Sequence, residues 1–223
     1  MRILNVEQKS LQWFEAKWGV ISGSRFKEIM SDPKAKVDKE AGKLSDKATK
    51  FLYRMVAEKI TPCEPDDPIM AKSVMWGEMH EEEALQYYQK LTGQTVLKAG
   101  FCLHDKYDWL GYSPDGFVAK KDKMRKILEV KSPYNSGVHV RYMVEDGFML
   151  KLHKWQLVCG FIVNNEATEA DLISYDPRAV IESHRLHIIN VKKKDLADDI
   201  KKGRKRLRDF RKKWKEAHSN LVF

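Results

Sequence analysis

Gly111-Tyr112-Ser113-Pro114-Asp115-Gly116-Phe117 and, after a short basic stretch, Ile127-Leu128-Glu129-Val130-Lys131-Ser132-Pro133 decide how this chain is read. Asp115 lies in a turn at the end of an apolar run, since proline, aspartate and glycine side by side favour turns for local reasons. Glu129 and Lys131 stand two apart in a run with strand alternation, so their side chains project from one face. Two acids and an amine can therefore converge, the arrangement that metal-dependent phosphodiester hydrolysis requires. A hard divalent cation such as magnesium takes oxygen ligands from one or two carboxylates and from substrate phosphate, which suits Asp115 and Glu129. Lys131 beside it would offset charge developing on the phosphate or orient the attacking water. Each half also has a plainer reading. Ser113 to Gly116 can be an ordinary tight turn, and Glu129 with Lys131 a surface pair on a strand with one wet face, because Leu128 and Val130 alternate with them.

Outward from this centre the pattern is helices first, then strands mixed with a helix. Lys9 to Lys17 reads as a helix through Leu11, Phe14 and Trp18, and Ser22-Gly23-Ser24 opens another around Phe26 to Met30. Serines at a helix start cap free amides, and those amides with the helix dipole form an anion site. Asp32 to Leu44 reads as an exposed polar loop whose lysines, Lys34 and Lys36 among them, are solvated or lie along DNA. Ser45 to Ile60 is an amphipathic helix through Phe51, Leu52, Met55 and Val56, and Thr61 to Pro68 a proline-rich break. On the helix expected from about Ala71 to Leu91, Trp76, His80, Ala84, Tyr87, Tyr88, Leu91, Val74 and Leu85 share one half of the wheel, and Glu81 falls inside it. A carboxylate on an apolar face has to be paired, protonated or bound to a metal. Val96 to Leu103, Trp109 to Tyr112 and Phe117 to Ala119 read as successive antiparallel strands, and Ile127 to Lys131 as a further one. Leu150 to Val163 is helical, with Leu152, Trp155, Val158, Cys159 and Ile162 on one side and His153, Gln156 and Gly160 as a polar stripe on the other, which would face the active site, Gly160 allowing close approach, or else be a plain exposed face. Leu172 to Tyr175 and Leu186 to Val191 supply two more strands.

In chain order stand Trp13, Gly19-Val20-Ile21-Ser22-Gly23-Ser24, Trp76-Gly77 with Glu81, Ser113-Pro114-Asp115-Gly116, Glu129-Val130-Lys131 and Gln156. This ordered set resembles the phage λ exonuclease family, the YqaJ-like viral recombinase nucleases, from about Trp13 to Pro177. Several weak motifs in the right order are more specific than any one of them. The resemblance implies an α/β (α+β) fold with a restriction-endonuclease-like PD-(D/E)XK core: a central mixed sheet flanked by helices, extra N-terminal helices and a basic C-terminal helix. It implies a magnesium-dependent exonuclease, with manganese able to substitute, that degrades one strand of double-stranded DNA from its 5′ end and leaves a 3′ overhang for phage-type recombination. It further implies a ring-shaped homotrimer threaded by DNA, a single-strand annealing protein as partner, and a phage or prophage gene product acting in the bacterial cytoplasm.

Carried over by the same resemblance, Asp115, Glu129 and Lys131 match the catalytic aspartate, glutamate and lysine, and the Val130 carbonyl a main-chain metal ligand. Glu81 matches a further active-site acid and Gln156 a helix-borne glutamine. Lys17, Ser24 and Ser113 match contacts to the 5′-phosphate, with Lys17 standing where the best-known member has an arginine; lysine is a point charge without the bidentate fork. Val74 and Met75 match an apolar wedge that parts the strands. The segment between Asp115 and Glu129 is longer than in that member, and Lys120, Lys121, Lys123, Arg125 and Lys126 read as a basic hairpin tip. Two rivals follow: a restriction-type or structure-specific endonuclease with the same residues, and a non-catalytic DNA-binding accessory protein.

The 223 residues suffice for one domain with a full core, and no Gly-, Ser- or Pro-rich linker divides them. No apolar run is long enough to cross a bilayer, and charged residues occupy the N-terminus where a signal peptide needs its apolar stretch, so a cytosolic protein with no membrane partner is expected. Cys63, Cys102 and Cys159 are odd in number and far apart, which excludes a disulfide framework or a Cys-x-x-Cys zinc site and leaves them as small buried hydrophobes. Four cysteine ligands for an iron–sulfur cluster are also lacking. The net charge of +9 is concentrated: Lys192 to Lys215 holds thirteen Lys and Arg against four Asp, and the rest of the chain balances. Within this basic element, about residues 192–217, Leu196, Ile200, Gly203, Leu207, Phe210 and Trp214 form a narrow stripe, leaving cations on the outer faces for phosphates or for solvent. The six tryptophans read as mostly core.

Overall fold

The computed structural model describes residues 1–61, 72–121 and 123–221. In chain order the elements are β1 (Arg2–Leu4), α1 (Leu11–Glu15), α2 (Gly23–Ile29), α3 (Lys36–Glu40), α4 (Asp46–Ile60), α5 (Lys72–Thr92), β2 (Val96–Leu97), β3 (Phe101–Leu103), β4 (Gly111–Tyr112), β5 (Gly116–Lys120), β6 (Lys123–Lys131), α6 (Ser136–Val144), α7 (Phe148–Val163), β7 (Glu169–Tyr175), β8 (Leu186–Lys192) and α8 (Ala197–Ser219). Five strands make a mixed sheet in the order β2-β5-β6-β7-β8, and three make a small antiparallel sheet, β1-β3-β4. The parallel pair is β6 with β7, so the chain crosses between them through α6 and α7, as a parallel connection demands.

Both faces of β6 are covered. Ile127 joins the large core formed with α2, α4, α7 and α8, while Leu128 and Val130 join a second core with Ala84, Leu85 and Tyr88 of α5. The wet face of the plainer reading is therefore absent: Glu129 is fully buried and Lys131 half-buried, because β6 lies in the middle of the sheet. On α4 the Ser45 hydroxyl caps the Ala48 amide at 3.1 Å, and Ala48, Phe51, Leu52, Met55 and Val56 face inward at helical spacing. The basic helix docks on its own chain, with Leu196, Ile200, Gly203, Leu207, Phe210 and Trp214 all buried against α2, α4 and α7.

Several boundaries differ from the expectation. The run from Val96 to Leu103 is two strands in two different sheets, broken at Lys98 to Gly100, where Gly100 passes too close to the Val6 carbonyl for any side chain. Trp109 and Leu110 precede β4, Leu110 making only an isolated bridge with Ile21. Asp32 to Leu44 contains α3, and the stretch after Pro133 contains α6. Ser22 does stand at the start of α2, but its side chain makes no capping bond. Val74 and Leu91 on α5, Leu11 on α1 and Leu152 on α7 are exposed rather than buried. The stripe of His153, Gln156 and Gly160, by contrast, faces inward as its active-site reading requires, Gln156 bonding Glu129 and Gly160 lying buried against Ile127 and Tyr112. Of the six tryptophans only Trp214 is fully buried; the others are half-buried. Cys102 and Cys159 are buried as expected, whereas Cys63, the Pro62 to Pro68 part of the proline-rich break and Ala71 lie outside the described residues.

Candidate active site

The hairpin of β5 and β6 brings the two acids together. Gly116 pairs with Leu128, so Asp115, one step before it, falls opposite Glu129. The Asp115 carboxylate accepts the Val130 amide hydrogen at 2.6 Å, which ties the turn to the strand. Gln8 fixes the turn from outside, donating to the carbonyls of Ala99 at 2.8 Å and Pro114 at 2.9 Å. An ionised side chain as deeply buried as Glu129 is too costly unless fully bonded, and three donors surround it. Lys131 and Gln156 both donate to Oε1, and the Tyr112 hydroxyl donates to Oε2 at 2.8 Å.

Gln156 reaches Glu129 because α7 packs on the β6 face that carries Ile127, Glu129 and Lys131. Two glycines allow that approach. A methyl group on Gly23 would stand 2.6 Å from the Tyr112 ring, and one on Gly160 3.2 Å from it, so the ring lies wedged between α2 and α7. Tyr112 is half of the wall that holds Glu129, yet it reads in the sequence only as an apolar strand residue. Gln8 gives no sequence signal either, since its partners are backbone atoms 91 and 106 residues away.

The charges are unbalanced. Burial first, and then the facing Glu129, push the Asp115 carboxyl well above the usual carboxylate range, with Glu81 adding to the effect and Lys131 opposing it. Burial pulls Lys131 down, but Glu129 and Asp115 outweigh it and its ammonium is raised. His153 is lowered to about 3 by burial and by Lys131, and it shares a 3.0 Å hydrogen bond with the Tyr142 hydroxyl. It is a neutral ring, not a cation.

Above the acids opens a cleft of about 180 Å³ lined by Lys17, Ser22, Ser24, Glu81, Ser113, Asp115 and Gln156, among others. All seven were singled out in the sequence, and Gln156 links them to Glu129, which Lys131 also bonds. Ser113 is held by the Gly100 carbonyl at 2.8 Å and the Trp13 indole at 3.1 Å. Lys17 lies 3.5 Å from the centre of the Trp13 ring, and burial, followed by the charge of Arg25, lowers it to about 8 against the pull of Glu58. Arg25 escaped the sequence reading: its guanidinium bonds Glu58 at 3.1 Å, and its buried Nη2 has no partner among the described residues. Glu81 is ion-paired with Lys98 at 3.6 Å, and the same lysine pairs with Glu82 at 3.1 Å. Lys34, Lys36, Val74 and Met75 are exposed and do not line the cleft.

No cluster of three or more His, Cys, Asp or Glu able to hold a metal occurs among the described residues. Magnesium needs less than that, one or two carboxylates with oxygen donors completing the shell. Asp115 and Glu129 are an all-oxygen pair whose mutual repulsion a single lysine leaves partly uncompensated, so a hard divalent cation fits them.

Residues 12–156, well over half of the chain, match the YqaJ-like viral recombinase domain, and that span takes in every residue of the cleft from Trp13 to Gln156. No curated protein sequence matches the chain. Among solved structures, an alkaline exonuclease from Laribacter hongkongensis is similar at 18% identity and a TM-score of 0.72, covering 96% of this chain and 98% of that one. The same enzyme in complex with dAMP gives 19% identity, a TM-score of 0.74 and the same coverage. A phage related exonuclease from Haemophilus somnus 129PT gives 18% and 0.69, covering 91% of this chain and 96% of that one. The likeness is one of fold: a mixed α/β molecule whose five-stranded sheet is flanked by helices, as the order of motifs in the sequence implies.

Proposed function

The chain belongs to the YqaJ-like viral recombinase domain family, and from that premise we propose that it is a magnesium-dependent 5′ to 3′ exonuclease acting on ends of double-stranded DNA. The observation that carries the reading is the meeting of Asp115, Glu129, Lys131 and Gln156, of which Asp115 and Gln156 line a cleft together with Lys17, Ser24 and Ser113. Asp115, Glu129 and the Val130 carbonyl would hold the ion, and manganese would replace it. When bound, magnesium supplies Lewis acidity toward the phosphate oxygens. Lys131, as an ammonium, orients the attacking water and offsets charge gathering on the phosphate, and the 3′ oxygen leaves in line. Gln156 and Tyr112 hold Glu129 in place, and Glu81 with Lys98 sets the polarity of the cleft mouth. Lys17, Ser24 and Ser113 seat the terminal 5′-phosphate, and Val74 and Met75 at the exposed start of α5 part the strands. Three copies closing a ring around the duplex, a single-strand annealing partner and a role in phage-type recombination in the bacterial cytoplasm belong to the same reading. No helix among the described residues is long and apolar enough to cross a membrane.

The test uses the purified full chain with magnesium, a linear duplex and a closed circular duplex. Nucleotides are expected to leave the linear DNA from the 5′ end of one strand while the circle stays intact, and Asp115→Ala is expected to lower the rate by at least about 100-fold. Cutting of the circle would move the reading to an endonuclease. Undiminished release by the Asp115 variant would dismiss the site.

A further inference from the structure

Lys17 and Ser24 border the cleft from different elements, the turn after α1 and the start of α2, and both are held by one side chain of α4. Glu58 accepts the Gly19 amide hydrogen on Oε2 at 2.9 Å and the Arg25 guanidinium on Oε1 at 3.1 Å. Gly19, two residues after Lys17, is left-handed at φ 64°, and a methyl group there would stand 2.5 Å from Cε of Lys59, so the turn lies pressed onto the last turn of α4. Arg25 follows Ser24 directly and lies 4.8 Å from the ring centre of Phe51, which is buried on the same helix. One carboxylate thus spans the two elements.

Glu58 does little for α4 itself. It stands in the last turn of the helix, where the dipole disfavours an acid. Arg54 adds a contact at 3.3 Å but is mostly exposed, and such a pair contributes little. What the acid does serve is the cation beside it. The Lys17 amine rests on the Trp13 ring and makes no ion pair or hydrogen bond among the described residues. Burial and Arg25 both act against its charge, and Glu58 favours it. The amine is thereby left open to a ligand, while the acid that supports it is occupied by Gly19 and Arg25.

We propose that Glu58 is the positioning residue of this corner of the cleft: its carboxylate clasps the Lys17 turn to the head of α2 and so sets the spacing of Lys17 and Ser24, a role that rests on their being the seat of a terminal 5′-phosphate. Two measurements on the full chain test it. With magnesium present at neutral pH, the ratio of kcat/KM for 5′-phosphorylated over 5′-hydroxyl linear duplex is expected to fall about ten-fold in Glu58→Ala, which loses both holds. Glu58→Gln is expected to recover part of that ratio, since its amide oxygen still accepts one of the two. A general loss of fold would lower both substrates alike, and an unmoved ratio in Glu58→Ala would overturn the proposal.

Without DNA or metal, the titration of Lys17 is followed by NMR of protein labelled at the lysine Cε, its signal assigned through Lys17→Arg. The midpoint is expected to move down in Glu58→Gln and up in Arg25→Gln. Both variants break the same ion pair, so movement in a single direction, or none, would overturn the clasp. Equal use of phosphorylated and hydroxyl ends by the parent would instead remove the 5′-phosphate reading, and opposite movements in the titration would then still show the clasp acting on Lys17.

Discussion

Lys17 sits in a cleft where its charge is worth most and is hardest to keep. Burial and the neighbouring Arg25 lower its ammonium to about 8, so the protonated form prevails below that pH and is lost above it. If Lys17 seats a terminal phosphate, the ratio of kcat/KM for 5′-phosphorylated over 5′-hydroxyl duplex is expected to fall as pH rises through about 8. Lys17→Arg is expected to flatten that profile, since a guanidinium stays charged; a ratio that does not change with pH in the parent would remove Lys17 from the role. That Ser24, Ser113, Asp115, Glu129, Lys131 and Gln156 come together was legible as an ordered set of motifs, and Lys17 joined them only through the family resemblance. Tyr112, Gln8 and Arg25 were not legible. Each acts through a partner far away in sequence, and a tyrosine in an apolar run or a glutamine near the N-terminus has many ordinary fates.

Helix α2 and strand β4 meet through Tyr112, and the spacing of that contact is set by glycine. A Gly23→Ala methyl would meet the Tyr112 ring at 2.6 Å and the Gln156 side chain at 3.4 Å. Overpacking of this kind costs about 1–3 kcal/mol, and here it displaces two of the groups that hold Glu129. The variant is therefore expected to melt several degrees lower and to lose about ten-fold or more in kcat, beyond any loss of folded protein; full activity per folded molecule would show that the wedge does not position the acid. At this scale the long helices were readable, α4 and α8 by a plain apolar stripe, whereas α5 and α7 were found with Val74, Leu91 and Leu152 on the wrong side. The short strands β2 to β4 were not, since two or three residues carry no period and their sheet is chosen by partners elsewhere in the chain. Helix α6 was missed for a related reason: it buries only His139 and Tyr142 and shows no apolar stripe.

Across the whole molecule, α8 serves two ends at once. Its inner stripe of Ile200, Leu207, Phe210 and Trp214 completes the large core, while its other faces carry most of the net charge of the chain. Burying each of those four side chains contributes about 1.5–3 kcal/mol, and together they rival the roughly 5–15 kcal/mol stability of a typical domain. A chain ending at residue 196 is expected to lose its cooperative thermal transition in calorimetry, and a sharp melt near that of the full chain would contradict the docking described above. The basic composition was visible from sequence; where the helix docks was not, because a stripe states that a partner exists without naming it. For anyone preparing a form that elutes earlier from heparin, the practical route is to repaint this helix, exchanging Arg204, Lys205 or Lys215 for glutamine. Trimming it away would trade stickiness for precipitation.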